Sequence, residues 1–311
     1  MHKQSSFPSS KIAVIGTGAV GSTVAYVATI KNLAAEIALI DVEEEKEAGH
    51  VMDIADGLCF VETGCVKGED FRDAAGADVI VVTAGVAQKA AGAESRLELV
   101  KTNKKILASI FKKIGRIKKT AVVIIVSNPV DVLTYVAQKI SGLPVGQVFG
   151  SGTALDSSRL KTELSDYFGV NAQDVHGYVL GEHGDSEFIP WSAVTIGGMP
   201  ATKLKGFTAS VANRVEERVK REAYEIIKLK GATYFGIALA VSDIIEAVFY
   251  NQHRILPVSS RIMNWNGVSN VCLGAPAVIG RSGVERLWPL TLTAGEKAKL
   301  KKSAAVIKKY L

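Results

Sequence analysis

Short β-rich apolar runs alternate with stretches of helical period through the first half of the chain, and this alternation restricts the fold more than any other feature. The runs are residues 11–15, 37–40, 79–83 and 121–126, and the helical patterns between them cover 19–32, 46–58, 97–114 and 130–140. Such a pattern is the signature of an α/β fold, a parallel sheet doubly wound with helices. Residues 147–149 read as the strand that completes this unit. After Gly150 the pattern changes to a helix over 155–168, strand-like segments near 175–180 and 193–196, and one long helical stretch over 208–250. Two β-rich segments at 255–258 and 275–279 precede a terminal helix. The expected organisation is a nucleotide-binding domain over 1–150 and a second, mixed α+β domain over 151–311. No repeat or flexible linker separates them, so the two parts should pack closely.

A chain of 311 residues, 48% hydrophobic, can bury a substantial core. No apolar run approaches the roughly 20 residues that span a bilayer, and the first ten residues are polar and too short for a signal sequence. A cytoplasmic protein with no membrane partner is expected. Cys59, Cys65 and Cys272 form no Cys-x-x-Cys pair and have no metal-ligand spacing, which fits a reduced compartment and predicts no metal. The net charge is +6, yet the basic residues are dispersed except at 297–309. There Leu300, Ala304, Ile307 and Leu311 recur at helical spacing, so the lysines read as the solvated face of an amphipathic helix and not as a nucleic-acid patch.

The first run leads directly into Gly16-Thr17-Gly18-Ala19-Val20-Gly21, which opens a helix. Gly16, Gly18 and Gly21 suit a tight turn, close approach of backbone to a pyrophosphate, and close helix packing, with the anion at the helix N-terminus. The second run ends in Asp41, whose carboxylate can accept hydrogen bonds from a ribose hydroxyl and would repel a 2'-phosphate. The cofactor read from these residues is NAD.

Five segments carry the chemistry of the remainder. They are Thr83-Ala84-Gly85 with Gln88-Lys89 and Glu94-Ser95-Arg96; Ser127-Asn128-Pro129-Val130-Asp131; Leu155-Asp156-Ser157-Ser158-Arg159; Gly181-Glu182-His183-Gly184-Asp185-Ser186; and Lys230-Gly231-Ala232-Thr233. In order and spacing, over nearly the whole chain, they resemble the L-lactate and L-malate dehydrogenase family. The resemblance implies a Rossmann-type sheet, NAD, and hydride transfer between nicotinamide and a small 2-keto or 2-hydroxy acid, with pyruvate and L-lactate the favoured pair.

Reducing a ketone with hydride requires a proton donor, a cation to polarise the carbonyl and a clamp for the substrate carboxylate. His183 is the natural acid, and the resemblance makes Asp156 its orienting partner. Arg159, one helical turn beyond Asp156, can clamp a carboxylate through two parallel hydrogen bonds. By resemblance Arg96, at the end of a lid loop, polarises the carbonyl, Asn128 reaches the substrate oxygen and the nicotinamide ribose, and Thr233 and Ile237 line the pocket. Core packing is an equally good reading of Ile237.

Within the family, malate dehydrogenase is the alternative, and it typically carries an arginine on the lid where this chain has Gln88. The lid is longer than usual, and counting back from Arg96 selects Ala90 instead. Outside enzymes, the alternative is a nucleotide-binding sensor or structural protein that keeps the fold without turnover. Relatives are usually homotetramers or dimers. In bacterial relatives controlled by fructose 1,6-bisphosphate, an arginine and a histidine form an effector site, and the matching positions here are Lys161 and His176.

Overall fold

The apolar runs become strands because both of their faces are buried. In the computed structural model, which describes residues 10–86 and 96–311 apart from the side chains of residues 96 and 97, they form a doubly wound sheet. Its elements are β1 (Lys11–Ile15), α1 (Ala19–Ile30), β2 (Glu36–Ile40), α2 (Glu44–Asp56), β3 (Cys65–Gly68), β4 (Val79–Val82), α3 (Arg96–Ile114), β5 (Val122–Ile125), α4 (Val130–Ile140) and β6 (Val148–Gly150). The remaining chain adds α5 (Ala154–Phe168), β7 (Val175–His176), β8 (Thr195–Ile196), β9 (Met199–Pro200), α6 (Ala209–Lys230), α7 (Phe235–Phe249), β10 (Arg254–Ile262), β11 (Val271–Gly280), β12 (Gly283–Leu287) and α8 (Ala294–Lys308).

Successive residues of each central strand serve different cores. Ile12 and Val14 of β1 join Val79, Val81, Val122 and Ile124 beneath α1 and α7, whereas Ala13 and Ile15 join Ile80, Val82, Val123 and Ile125 beneath α3 and α4. A strand buried on both faces has no polar positions to alternate with, which is why these runs read as continuous apolar segments. The parallel strands stand in the order β3-β2-β1-β4-β5-β6. The chain therefore reverses its direction of winding between β1 and β4, and a crevice opens at the carboxyl ends of these strands.

The second half extends this sheet. Strand β10 pairs antiparallel with β6 at Ser259 and Gly150, and β11 and β12 continue outward, giving nine strands in all among the described residues. A separate three-stranded sheet holds β7, β8 and β9. Because α7 packs on α1, the two halves of the chain share one core.

Three expectations need correction. The stretch 208–250 is two helices, because Gly231 takes φ +87° and its N–H closes α6 on the Ile227 carbonyl, a conformation that suits glycine. Strands β3 and β12 were not anticipated; only Val66 is buried in the first and only Gly283 in the second, so neither carries an apolar run. Leu311 lies beyond α8, while Leu300, Ala304 and Ile307 form its buried face as expected.

The junction of the two sheet halves is tight. A Cβ at Gly150 would stand 2.4 Å from Thr134 Oγ1, 2.7 Å from Val130 Cγ2 and 3.1 Å from Ser259 Cβ. Gly150→Ala should overpack this joint and lower the unfolding free energy by about 1–3 kcal/mol. A urea midpoint equal to that of the parent would show that α4 yields freely.

Candidate active site

At the crevice, the glycine-rich turn is held by close backbone approach. A Cβ at Gly16, where φ is +96°, would lie 2.6 Å from the Ala84 nitrogen, and one at Gly21 would lie 1.8 Å from the Gly16 carbonyl oxygen. At Gly18 a Cβ would meet nothing within 4 Å, and this residue is the N-cap of α1 without a side-chain cap. The open space at a helix N-terminus fits a pyrophosphate, and a side chain would project into it. Asp41 ties this turn to β2. Its Oδ2 accepts from Thr17 N at 2.5 Å and Thr17 Oγ1 at 2.9 Å, and its Oδ1 from Val42 N at 2.7 Å and Glu43 N at 3.2 Å. Burial raises the Asp41 pKa, but these bonds outweigh it and the group stays below its ordinary range. The residues present fit a dinucleotide.

Beyond the turn lies a cleft of about 450 Å³ that brings together Asn128, Asp156, Arg159, His183 and Thr233. Asp156 and Arg159, three residues apart on α5, face each other, with Arg159 Nη1 donating to Asp156 Oδ1 at 2.8 Å. The other oxygen, Oδ2, is 2.6 Å from His183 Nδ1. Asp156 is 1% exposed and Arg159 6%, whereas the His183 side chain keeps 27% exposure toward the cleft. The Asp156 carboxylate favours the imidazolium and pushes the His183 pKa up to about 9. Burial opposes the charge on Asp156, but the imidazolium and the Arg159 guanidinium together hold its pKa below the ordinary value.

The His183 loop is fixed by its backbone. Gly181 exchanges hydrogen bonds with Gly274 of β11 at 2.9 and 2.8 Å, and Thr153 at the start of α5 donates Oγ1 to the Val179 carbonyl at 2.6 Å. Asp131 of α4 accepts from His183 N at 2.9 Å and from Ser259 Oγ at 2.6 Å, and burial raises its pKa to about 7. Asn103 of α3 joins two cleft loops, accepting from Val86 N at 2.8 Å while its Nδ2 donates to Val86 O at 3.0 Å and to Asn128 O at 2.7 Å. Sequence reasoning assigned neither residue a role. Asp131 stood inside a quoted motif, whereas Asn103 looks like any polar helix residue until the loops meet.

The other expected site residues divide. Gln88 lies outside the described residues, and only the backbone of Arg96 is described, as the first residue of α3. Ile237 packs partly buried against the core under α1 and is not among the cleft-lining residues. Lys161 is partly buried, with Asp243 and Arg254 as its charged surroundings, and His176 is exposed on β7. No hydrogen bond or ion pair joins them among the described residues.

The switch-point crevice, the glycine turn and the Asp–His–Arg cleft together are those of a nicotinamide-dependent dehydrogenase. The chain belongs to the lactate/malate dehydrogenase family: its NAD-binding domain matches over residues 10–150 and its α/β C-terminal domain over 153–311. NAD is therefore its cofactor. The L-lactate dehydrogenase of Thermoanaerobacter sp. (strain X514) is 43% identical over 97% of this chain and 98% of its own. That of Clostridium botulinum (strain Hall) is 41% identical over 97% and 96%. Among solved structures, a lactate dehydrogenase from a Medee basin deep-sea metagenome library superposes with a TM-score of 0.93 at 38% identity, covering 98% of both chains. The minor L-lactate dehydrogenase of Enterococcus mundtii does so with a TM-score of 0.93 at 36% identity, covering 97% of both.

Asp131 offers a direct check on how the loop is held. Asp131→Ala leaves the His183 N–H and the Ser259 hydroxyl without their acceptor, which should cost about 1–3 kcal/mol of unfolding free energy. Ser259→Ala should cost less, because one carboxylate bond remains. Equal losses in urea titrations of the two variants would contradict this ranking.

Proposed function

We propose that this chain is an NAD-dependent L-lactate dehydrogenase, which interconverts pyruvate and L-lactate, with Arg159, Asp156 and His183 as its central groups. The observation that carries the reading is the buried charge chain of Arg159, Asp156 and His183 on the wall of the cleft. Among the described residues Arg159 Nε has no hydrogen-bond partner, and the Glu222 carboxylate stands 3.7 Å from it. That nitrogen is buried, so a substrate carboxylate would pair with the edge of the guanidinium that lines the cleft, which also fixes which face of the substrate is presented.

When bound, the nicotinamide supplies or accepts the hydride at the substrate's second carbon. His183 provides the proton. With Nδ1 bonded to Asp156, Nε2 donates to the developing alkoxide oxygen, and in the reverse direction it takes that proton back. Asp156 remains a carboxylate throughout, setting the ring's orientation and stabilising its charged form. Asn128 Oδ1 accepts from Val130 N at 3.3 Å, which leaves its Nδ2 to donate into the cleft. Arg96 is proposed to add positive charge at the carbonyl when the lid closes, and Thr233 to line the substrate side.

Pyruvate is preferred to oxaloacetate in this reading because Gln88 offers no cation for a second carboxylate, and burying one unpaired costs several kcal/mol. The names of the close relatives point the same way. Residues 1–150 would carry the cofactor and 151–311 most of the substrate site, in a cytoplasmic homotetramer. Lys161 and His176 are retained as a weak effector site at a subunit interface. No helix among the described residues is long and apolar enough to cross a membrane.

NADH oxidation assayed with pyruvate and with oxaloacetate tests the substrate assignment, and a preference for oxaloacetate would overturn it. His183→Ala should lower turnover about 100-fold or more while NADH still binds by fluorescence titration. Since His183 must be protonated to reduce pyruvate, kcat/KM in that direction should hold below the folded pKa and fall as pH rises through about 9. Asp41→Ser should improve the use of NADP relative to NAD, as read from the ratio of kcat/KM values.

A further inference from the structure

We infer that Glu187 is a positioning residue, a neutral carboxylic acid that steadies Asp156 against His183 and leaves the cleft able to accept an anionic substrate. The inference rests on the proposed role of His183 as proton donor. Glu187 is 4% exposed and lines the same cleft. Its backbone N–H donates to the Gly184 carbonyl at 3.0 Å, a turn that brings the chain back beside the histidine. Ligand atoms of Asp156, His183 and Glu187 all lie within 4.8 Å of one another.

Two carboxyl groups this close in a buried pocket cannot both ionise without a large cost. Asp156 is the one held as an anion, because His183 and Arg159 bond its two oxygens. The proton therefore stays on Glu187. Burial, and then the charge on Asp156, keep Glu187 well above the ordinary carboxylate range, against the opposing pull of His183, Arg159 and Lys220 of α6. The other ionisable groups nearby have partners of their own. Asp131 of α4 is bonded to His183 N and Ser259 Oγ, and Glu222 of α6 faces Arg159. Within the loop, Glu182 accepts from Ser186 Oγ and Asp185 from Tyr224 of α6.

Charge counting gives the consequence. With Glu187 neutral, three cations, His183, Arg159 and Lys220, face two buried or half-buried anions, Asp156 and Glu222, and the incoming substrate carboxylate balances the one charge left over. If Glu187 ionises, the pocket is already balanced and the substrate makes it negative. Loss of that proton should raise KM for pyruvate more than it lowers kcat.

The test is the pH dependence of kcat/KM for pyruvate in the parent and in Glu187→Gln, whose amide is always neutral and has N–H groups to offer Asp156. The parent should lose two protons on the alkaline limb, falling about a hundredfold per pH unit, and Glu187→Gln only one, falling about tenfold. A tenfold limb in the parent with no protonated-carboxyl band from Glu187 overturns the inference, whether or not the variant folds. So does a hundredfold limb that survives in Glu187→Gln, since the second proton would then belong to another group such as Asp131. Infrared spectroscopy gives a readout apart from activity: a deuterium-sensitive protonated-carboxyl band should appear at neutral pH in the difference spectrum of the parent minus Glu187→Gln, where the contribution of Asp131 cancels. If the parent reduces no pyruvate at any pH, the functional reading fails, and this band alone decides the state of Glu187.

Discussion

The Asp156 carboxylate, buried at 1% exposure, has to be compensated where it stands, and much of the site follows from that requirement. A buried anion without partners costs several kcal/mol. Here Arg159 bonds one oxygen and His183 the other, so the same contacts that keep the anion in the protein also charge the histidine and aim its second nitrogen at the cleft. Removing either cation would leave the anion undercompensated. The geometry proposed for catalysis and the compensation of Asp156 are one arrangement.

That arrangement draws on elements remote in the chain. Asp156 and Arg159 come with α5, the His183 loop is pinned to β11 through Gly274, and Asp131 of α4 holds the His183 backbone. All three supports converge because the sheet continues from β6 into β10 and β11. The close packing at Gly150 is what lets the parallel and antiparallel parts meet there. On the cofactor side, the reversal of winding between β1 and β4 opens the crevice, and Asp41 binds the glycine turn to the end of β2. A single backbone framework thus places the first turn of α1 on the same cleft as His183.

Much was legible because it is local. Runs buried on both faces declared β1, β2, β4 and β5, and the spacing of Gly16, Gly18 and Gly21 declared the dinucleotide turn. Asp156 and Arg159 share a helix face by periodicity alone. What could not be read depended on contacts made across the fold. Strands β3 and β12 sit at the sheet's edges and carry little apolar signal, so only pairing reveals them. Gly231 ends α6 by taking a conformation that helical periodicity does not record. Asn103 and Glu187 carry no motif, and their significance lies entirely in the groups that the fold brings to them.

The sequence by itself determined the class of fold, the nicotinamide cofactor and the residue types of the chemistry, because burial period, turn geometry and helical spacing act over a few residues. Tertiary structure alone decided which of those residues share a pocket and what charge each carries there. Charge is a property of surroundings: a separation of 27 positions between Asp156 and His183 says nothing of the 2.6 Å that separates the carboxylate from the imidazole. Only when the sheet closes around that pair does the low local dielectric turn a carboxylate and an imidazole into a matched acid and its support.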